Sequence, residues 1–175
     1  MSALLQGLSY TAFAYTELRV DTPLPARICS ELTVSVEVQN VGAVASDEVA
    51  MVFLSLADTQ SSAPRVGLAA FTRAINLAPS ERRRLVFTVK PAAMAVFVDA
   101  DRALVLQPCT LRLFVGGRQP SIDEVNTGAA RSPGVLSTST ELTGPATPLG
   151  ECSAQTWPPP PPPSLPRRFL PDRDE

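Results

Sequence analysis

The acidic residues are the first candidates for chemistry, because the chain of 175 residues contains no histidine. Its absence excludes serine–histidine and cysteine–histidine catalysis and removes the commonest transition-metal ligand. Asp47 and Glu48 are adjacent carboxylates, and catalysis by a carboxylate pair requires both side chains to converge on one bond. Neighbouring residues on a strand, however, point to opposite faces of the sheet. We therefore predict a structural role for this pair and assign no catalytic residue.

A second acidic pair, Asp99 and Asp101, has the i, i+2 spacing that places two side chains on one face of a hairpin. Calcium takes about six to eight oxygen ligands, and the sequence supplies only these two carboxylates nearby. A polar turn is favoured over a metal site. The sequence therefore predicts no metal and no cofactor.

The three cysteines, Cys29, Cys109 and Cys152, are an odd set without the paired spacing of a zinc site. Cys29 and Cys109 could pair in an exported protein if their strands are adjacent, although buried free thiols are favoured. Cys152 is expected to be free.

Strands must position these residues, because apolar and polar residues alternate along residues 32–38 and 85–90. Residues 103–106 and 110–115 form two further apolar runs, expected to close the domain as a hairpin through residues 107–109. About seven short strands separated by turns are typical of an all-β, immunoglobulin or fibronectin type III-like antiparallel β-sandwich. We place this sandwich at residues 13–121, after a linking segment at residues 1–12. Four phenylalanines are expected in its core: Phe53, Phe71, Phe87 and Phe114.

Residues 122–175 are rich in Ser, Thr, Gly and Pro, and six consecutive prolines occupy residues 158–163. Such a composition buries too little apolar surface to offset chain entropy. We predict a disordered, proline-rich C-terminal tail in which the proline run forms a polyproline II rod.

The net charge is −2, and the basic residues are spread along the chain apart from three arginines at residues 82–84. This pattern gives no electrostatic basis for binding nucleic acid or an anionic membrane. No apolar stretch is long enough for a transmembrane helix, and residues 1–5 are too short for an export signal. We expect neither nucleic acid nor a membrane as a partner.

Several segments resemble the C-terminal domain of family 3 glycoside hydrolases. Gly-Leu-Ser-Tyr-Thr at residues 7–11 is similar to the segment through which those enzymes pass into this domain. Asn-Val-Gly at residues 40–42, followed by Asp-Glu-Val at 47–49, resembles the family's next turn and strand. Residues 64–81 resemble its proline loop, Leu-x-Gly-Phe strand and Leu-x-Pro-Gly-Glu turn.

This sequence departs from the family pattern at three glycines, which are replaced by Ser46, Ala70 and Ser80. The ending Gly-Gly-x-x-Pro at residues 116–120 favours the β-xylosidase branch over the β-glucosidase branch.

The resemblance implies a noncatalytic accessory domain, because the family's catalytic aspartate and glutamate lie in other domains. It also implies that the partner is the catalytic part of such an enzyme, in cis or in trans, and that the protein is extracellular or in a cell wall. We predict five residues as contacts to a neighbouring domain: Tyr10, Phe13, Tyr15, Pro64 and Arg65.

Two alternatives remain open. The sandwich could be a stand-alone cell-wall or matrix module that binds polysaccharide or protein, with the proline rod as a spacer. Alternatively, the prolines at residues 158–163 could be a cytoplasmic ligand for profilin, SH3 or WW domains. No aromatic platform for sugar stacking is evident, because the single tryptophan, Trp157, lies in the tail.

Overall fold

In the computed structural model, which describes residues 11–59, 63–98, 103–131 and 133–152, the alternating segments form strands. Strand β3 (Leu32–Asn40) buries its apolar series from Leu32 to Val38, and β6 (Arg82–Val89) buries Leu85, Phe87 and Val89 while exposing the residues between them. This is the pattern expected when one face of a sheet meets a core. The predicted all-β class is confirmed.

The remaining elements are mostly strands. They are β1 (Phe13–Val20), β2 (Ala26–Arg27), β4 (Ser46–Ala57), β5 (Gly67–Leu77), β7 (Val96–Val98), β8 (Ala103–Leu106), β9 (Cys109–Gly116), helix α1 (Ile122–Thr127), β10 (Val135–Thr143) and β11 (Thr147–Pro148), with short 3-10 helices at Pro91–Met94 and Leu149–Glu151.

Two sheets form the sandwich, one in the order β1-β3-β6 and the other in the order β2-β10-β9-β4-β5. A small third sheet has the order β11-β8-β7. The strand pairs are antiparallel except for β2 with β10, which is parallel. Strands β5 and β6 end their sheets among the described residues, so one side of the sandwich is bounded by two edge strands.

The main core lies between the two larger sheets and is built largely from aliphatic residues such as Val34, Val52 and Leu113. A second apolar cluster lies on the outer face of the five-stranded sheet. It consists of Phe53, Phe114, Val125 and Val135, with Met51, Val66 and Ala130 packed against it. Because Val125 belongs to α1, this helix covers part of the outer face.

The predicted boundary at residue 121 is wrong, because the sandwich continues to Cys152. Strand β10 pairs with β9 over eight residue pairs, from Val135↔Gly116 to Leu142↔Cys109. Its Thr residues suit a strand, since β-branched residues fit a pleated surface, and pairing with β9 satisfies the backbone along the strand. The predicted disorder at residues 153–175 lies outside the described residues.

The expectations of a free thiol at Cys29 and at Cys152 are wrong, whereas the expected buried free thiol at Cys109 is confirmed. Cys29 forms a disulfide with Cys152, and Cys109 is buried and free. The physical reason is that β10 and β11 bring the chain back, so that Cys152 meets the segment between β2 and β3 while Cys109 begins a strand that faces the core.

Two smaller expectations also fail. Residues 107–109 do not form a hairpin, because β8 pairs with β7 and β11 whereas β9 pairs with β4 and β10. Phe71 is not in the core but 70% exposed. It pairs with Met51, which packs on the outer face of the sheet, while the next pair, Val52 and Ala70, faces inward.

Candidate interdomain surface

The described chain begins at a corner fixed by the buried side chain of Asn40. Thr11 Oγ1 donates a hydrogen bond to Asn40 Oδ1 at 2.7 Å, and Asn40 Nδ2 donates to the carbonyl oxygen of Leu77 at 2.9 Å. Nδ2 also donates to the carbonyl of Val44. One amide thus ties the segment before β1 to the end of β5. We call Thr11, Asn40, Gly42 and Leu77 the N-terminal corner.

The glycine of the Asn-Val-Gly turn is required by this corner. A Cβ atom at Gly42 would overlap Thr11 Oγ1 and lie 3.0 Å from the backbone nitrogen of Ala12. Gly42 N also donates to Asn40 Oδ1 at 3.0 Å. The motif therefore holds the incoming chain against the sandwich by close approach as well as by hydrogen bonds.

Tyr15, a predicted contact residue, is buried inside this domain rather than presented on its surface. Its hydroxyl donates to Glu48 Oε1 at 2.5 Å, and a Cβ atom at Gly117 would overlap that same carboxylate oxygen. Burial raises the pKa of Glu48, which the bond from Tyr15 partly offsets. Burial and the bond to Glu48 raise the pKa of Tyr15 well above its usual range. The pair joins β1 to β4 and leaves Tyr15 little surface for a neighbour.

Asp47 points away from Glu48, as predicted for neighbours on a strand. Its carboxylate accepts from the backbone N–H of Asn76 at 2.8 Å and from Arg73 at 3.2 Å. These two donors, the backbone N–H first, lower the pKa of Asp47. The two carboxylates bind different partners on different faces, which is a structural arrangement and not a pair converging on one bond.

The other predicted contact residues occupy different positions. Phe13 is half-buried and packs against the main core. Pro64 and Arg65 are exposed and lie just before β5 begins at Gly67. Tyr10 lies outside the described residues, as do Asp99, Asp101, Trp157 and the prolines at residues 158–163. The hypotheses based on the proline run therefore remain predictions.

The three arginines at residues 82–84 each have an acidic partner. Arg82 pairs with Glu37 at 2.9 Å, Arg83 with Glu81 at 2.5 Å and Arg84 with Asp21 at 3.5 Å. The run is locally neutralised. Across residues 11–59, 63–98, 103–131 and 133–152 we find no cluster of three or more side chains suited to a metal ion and no helix that could span a membrane.

The sequence analysis missed a group of apolar residues that are exposed along β5: Leu68, Phe71 and Ile75. A single sequence does not reveal which strand ends a sheet, so Phe71 was expected in the core. One signal in the sequence could have indicated this exposure. The large apolar residues at positions 68–75 do not follow the strict period-two alternation of a strand with one buried face.

Comparison with known protein families finds a match for the central part of the sandwich. Residues 48–119 match the family model of the fibronectin type III-like domain. This part of the sandwich is similar to a fibronectin type III-like domain. The described fold extends beyond the matched residues at both ends, because β1, β3 and β10 are integral to its sheets.

Two relatives that this chain matches are β-glucosidases. The chain is 29% identical over 116 residues to β-glucosidase BoGH3A of Bacteroides ovatus, covering 66% of this chain and 15% of that protein. It is 32% identical over 91 residues to thermostable β-glucosidase B of Acetivibrio thermocellus, covering 52% of this chain and 12% of that protein. The predicted resemblance to family 3 glycoside hydrolases is confirmed.

A solved β-glucosidase structure also superposes on this chain. The β-glucosidase from Listeria innocua in complex with glucose superposes with a TM-score of 0.62 at 25% identity, covering 80% of this chain and 17% of that enzyme. The chain thus spans less than a fifth of the length of the relatives that it matches.

Proposed function

We propose that this chain is the noncatalytic accessory domain of a family 3 β-glucosidase and that it stabilises a catalytic part not contained in these residues. The observation that carries the proposal is the N-terminal corner. There Thr11, the last residue of the segment that resembles the family's linking motif, binds Asn40, which in turn binds Leu77. The anchored Thr11 fixes the point at which a preceding domain would join the sandwich. In the relatives, the matched segment is 12–15% of a longer β-glucosidase.

The substrate class of the proposed partner is a β-glucoside. The relatives are β-glucosidases, whereas the β-xylosidase branch rested on the Gly-Gly-x-x-Pro ending alone. The close approach of Gly117 to the Glu48 carboxylate gives this ending a packing role. It therefore does not favour a xyloside.

An oxidising compartment is the proposed location. The Cys29–Cys152 disulfide joins residues 123 positions apart, and disulfides persist mainly in secreted or cell-surface proteins. This supports the extracellular or cell-wall setting implied by the family resemblance.

A hydrolysis assay tests the noncatalytic role. The full chain, purified without other enzymes, is expected to show no turnover of nitrophenyl β-glucoside or nitrophenyl β-xyloside above that of buffer. Because Asp47 and Glu48 bind separate partners, D47N and E48Q should not alter this background. Turnover that co-purifies with the chain and falls in either variant would contradict the proposal.

A further inference from the structure

Strand β5 exposes three large apolar side chains to solvent. Leu68 is 52% exposed, Phe71 70% and Ile75 64%. Scattered single apolar residues are common on protein surfaces, but here three lie on one strand, with Arg73 between Phe71 and Ile75. We call Leu68, Phe71 and Ile75 the open edge.

The open edge is the outer edge of its sheet, and its pairing with β4 is irregular at two points. Within the described part of the chain, β5 pairs only with β4, at the end of the five-stranded sheet. Natural edge strands are commonly shielded by charges or prolines. The charged side chain of β5, Arg73, is engaged by Asp47 of the adjacent strand at 3.2 Å. The three apolar side chains therefore remain available to a partner.

A groove continues the open edge toward the second sheet. It has a volume of about 410 Å³ and is lined on one side by residues 68–71 of β5. The other side consists of Thr88, Lys90, Ala92 and Ala93, which belong to β6 and the 3-10 helix after it. Both edge strands thus contribute to a concave surface with small side chains at its base, which suits an inserted apolar side chain.

The position of the N-terminal corner indicates what covers this surface. Leu77, the last residue of β5, accepts a hydrogen bond from Asn40, and Asn40 also binds Thr11, where the described chain begins. Residues 1–10 reach at most about 35 Å when extended, and the open edge from Leu68 to Ile75 is about 23 Å long. A domain joined through residues 1–10 is therefore tethered within reach of the whole edge, at a high effective concentration.

We propose that the open edge and its groove form the surface on which the catalytic part of a β-glucosidase packs, through an apolar patch of that partner. This inference rests on the proposed function and assigns its contact surface. Pro64 and Arg65, predicted as contacts, lie at the start of β5 beside Leu68. Both are exposed, and the proposal assigns them to the rim of this surface, whereas Tyr15 is buried within the domain.

A second exposed apolar pair provides a matched control. Phe97 on β7 and Leu104 on β8 are 52% and 46% exposed and lie opposite one another in the small sheet. This sheet does not include β5 and is not bonded to the N-terminal corner. Phe97 and Phe71 are thus similar in type and exposure but differ in location.

A binding experiment tests the assignment. The full chain is titrated into the B. ovatus β-glucosidase from which the segment matched by this chain has been removed, with calorimetry as the readout. The substitutions Phe71→Ser and Leu68→Ser should each weaken binding at least tenfold, as expected for central apolar anchors. Phe97→Ser should leave the affinity within about twofold. Circular dichroism shows whether each variant is folded.

The possible outcomes distinguish a failure of the proposed function from a failure of the assigned contact surface. Failure of the unsubstituted chain to bind would contradict the proposed function. Binding that survives Phe71→Ser and Leu68→Ser in folded variants, or is lost in Phe97→Ser, would overturn only the assigned surface. A second copy of this chain could instead cover the open edge, and light scattering tests for such a dimer. A dimer that dissociates in the Phe71→Ser variant would also overturn the proposal.

Discussion

Ser80 adopts a backbone conformation that the family turn gives to glycine. Its φ is 66°, in the left-handed region that costs a non-glycine residue about 1–2 kcal/mol. The turn is nevertheless retained, because Ser80 N donates to the carbonyl of Asn40 at 2.9 Å and Glu81 Oε2 accepts from Ala78 N. The replacement of glycine at this position therefore lowers the stability of this chain.

We expect Ser80→Gly to raise the free energy of unfolding by about 1 kcal/mol, because glycine adopts this φ without steric cost. Urea unfolding of the full chain measures the difference. Ala70→Gly is the control, since Ala70 lies within β5 where the backbone is extended. It should lower stability by about 0.5–1 kcal/mol. Equal effects at the two positions would contradict the argument from φ.

The buried carboxyl of Glu48 makes stability depend on pH. Its raised pKa means that the folded protein holds the proton more tightly than the unfolded chain. The stabilisation is complete below the unfolded pKa, about 4.3, and is lost as the pH rises through the folded pKa. We expect the unfolding free energy to decline over this range and Glu48→Gln to flatten the decline.

The adjacent residue Asp47 provides a control, because its pKa is shifted in the opposite direction from that of Glu48. Its lowered pKa adds stability above the unfolded pKa, and that stability is lost as the pH falls. Asp47→Asn should therefore remove a loss of stability at acidic pH and leave the decline due to Glu48 in place. Urea midpoints measured from pH 3 to 8 distinguish the two variants. A Glu48→Gln variant with an unchanged profile would show that another group titrates.

At the scale of elements, the C-terminal third of the sandwich shows the limits of composition as a guide. Strand β10 was missed because its Ser and Thr content resembles that of a linker. The start of helix α1 could have been predicted from the sequence, because Ser121 and Glu124 have the spacing of a capping box. In it each side chain accepts a hydrogen bond from the other residue's backbone N–H. That signal at residues 121–124 could have placed the boundary further along the chain.

The disulfide is the covalent link between this C-terminal part and the rest. A cross-link between residues 123 positions apart removes chain entropy from the unfolded state. This stabilises the fold by up to about 5 kcal/mol in the loop-closure model. We expect reductant to lower the unfolding free energy by an amount approaching this value. The pairing itself was not predictable, because three cysteines allow three pairs and only the fold brings Cys152 to Cys29.

Cysteine variants test this expectation through denaturant unfolding with and without reductant. Cys29→Ser and Cys152→Ser should each show the full loss of stability and no further response to reductant. Cys109→Ala should keep the response, because Cys109 is buried and unpaired and burial raises the pKa of its thiol to about 11. A reductant response that disappears in Cys109→Ala would contradict the assigned pairing.

At the scale of the whole molecule, the sequence predicted the sandwich and its family, because period-two alternation and turn motifs are local signals. The interdomain surface was harder to predict. Tyr15 was expected at the surface because aromatic residues are common at interfaces, but its hydroxyl finds Glu48 within the domain. The exposure of apolar side chains on β5 depends on β5 being the last strand of its sheet. The strand order cannot be predicted from residues 67–77 alone.

The central claim is that this domain stabilises a catalytic part, and thermal inactivation tests it most directly. The B. ovatus β-glucosidase lacking its matched segment is heated with and without the full chain, and residual glucoside hydrolysis is measured. At a chain concentration ten times Kd, binding adds about 1.4 kcal/mol of stability. We predict a higher inactivation temperature with the chain and with its Phe97→Ser variant, and a much smaller rise with Phe71→Ser, which adds at most about 0.4 kcal/mol if it binds tenfold more weakly. An inactivation temperature unchanged by the chain would contradict the account.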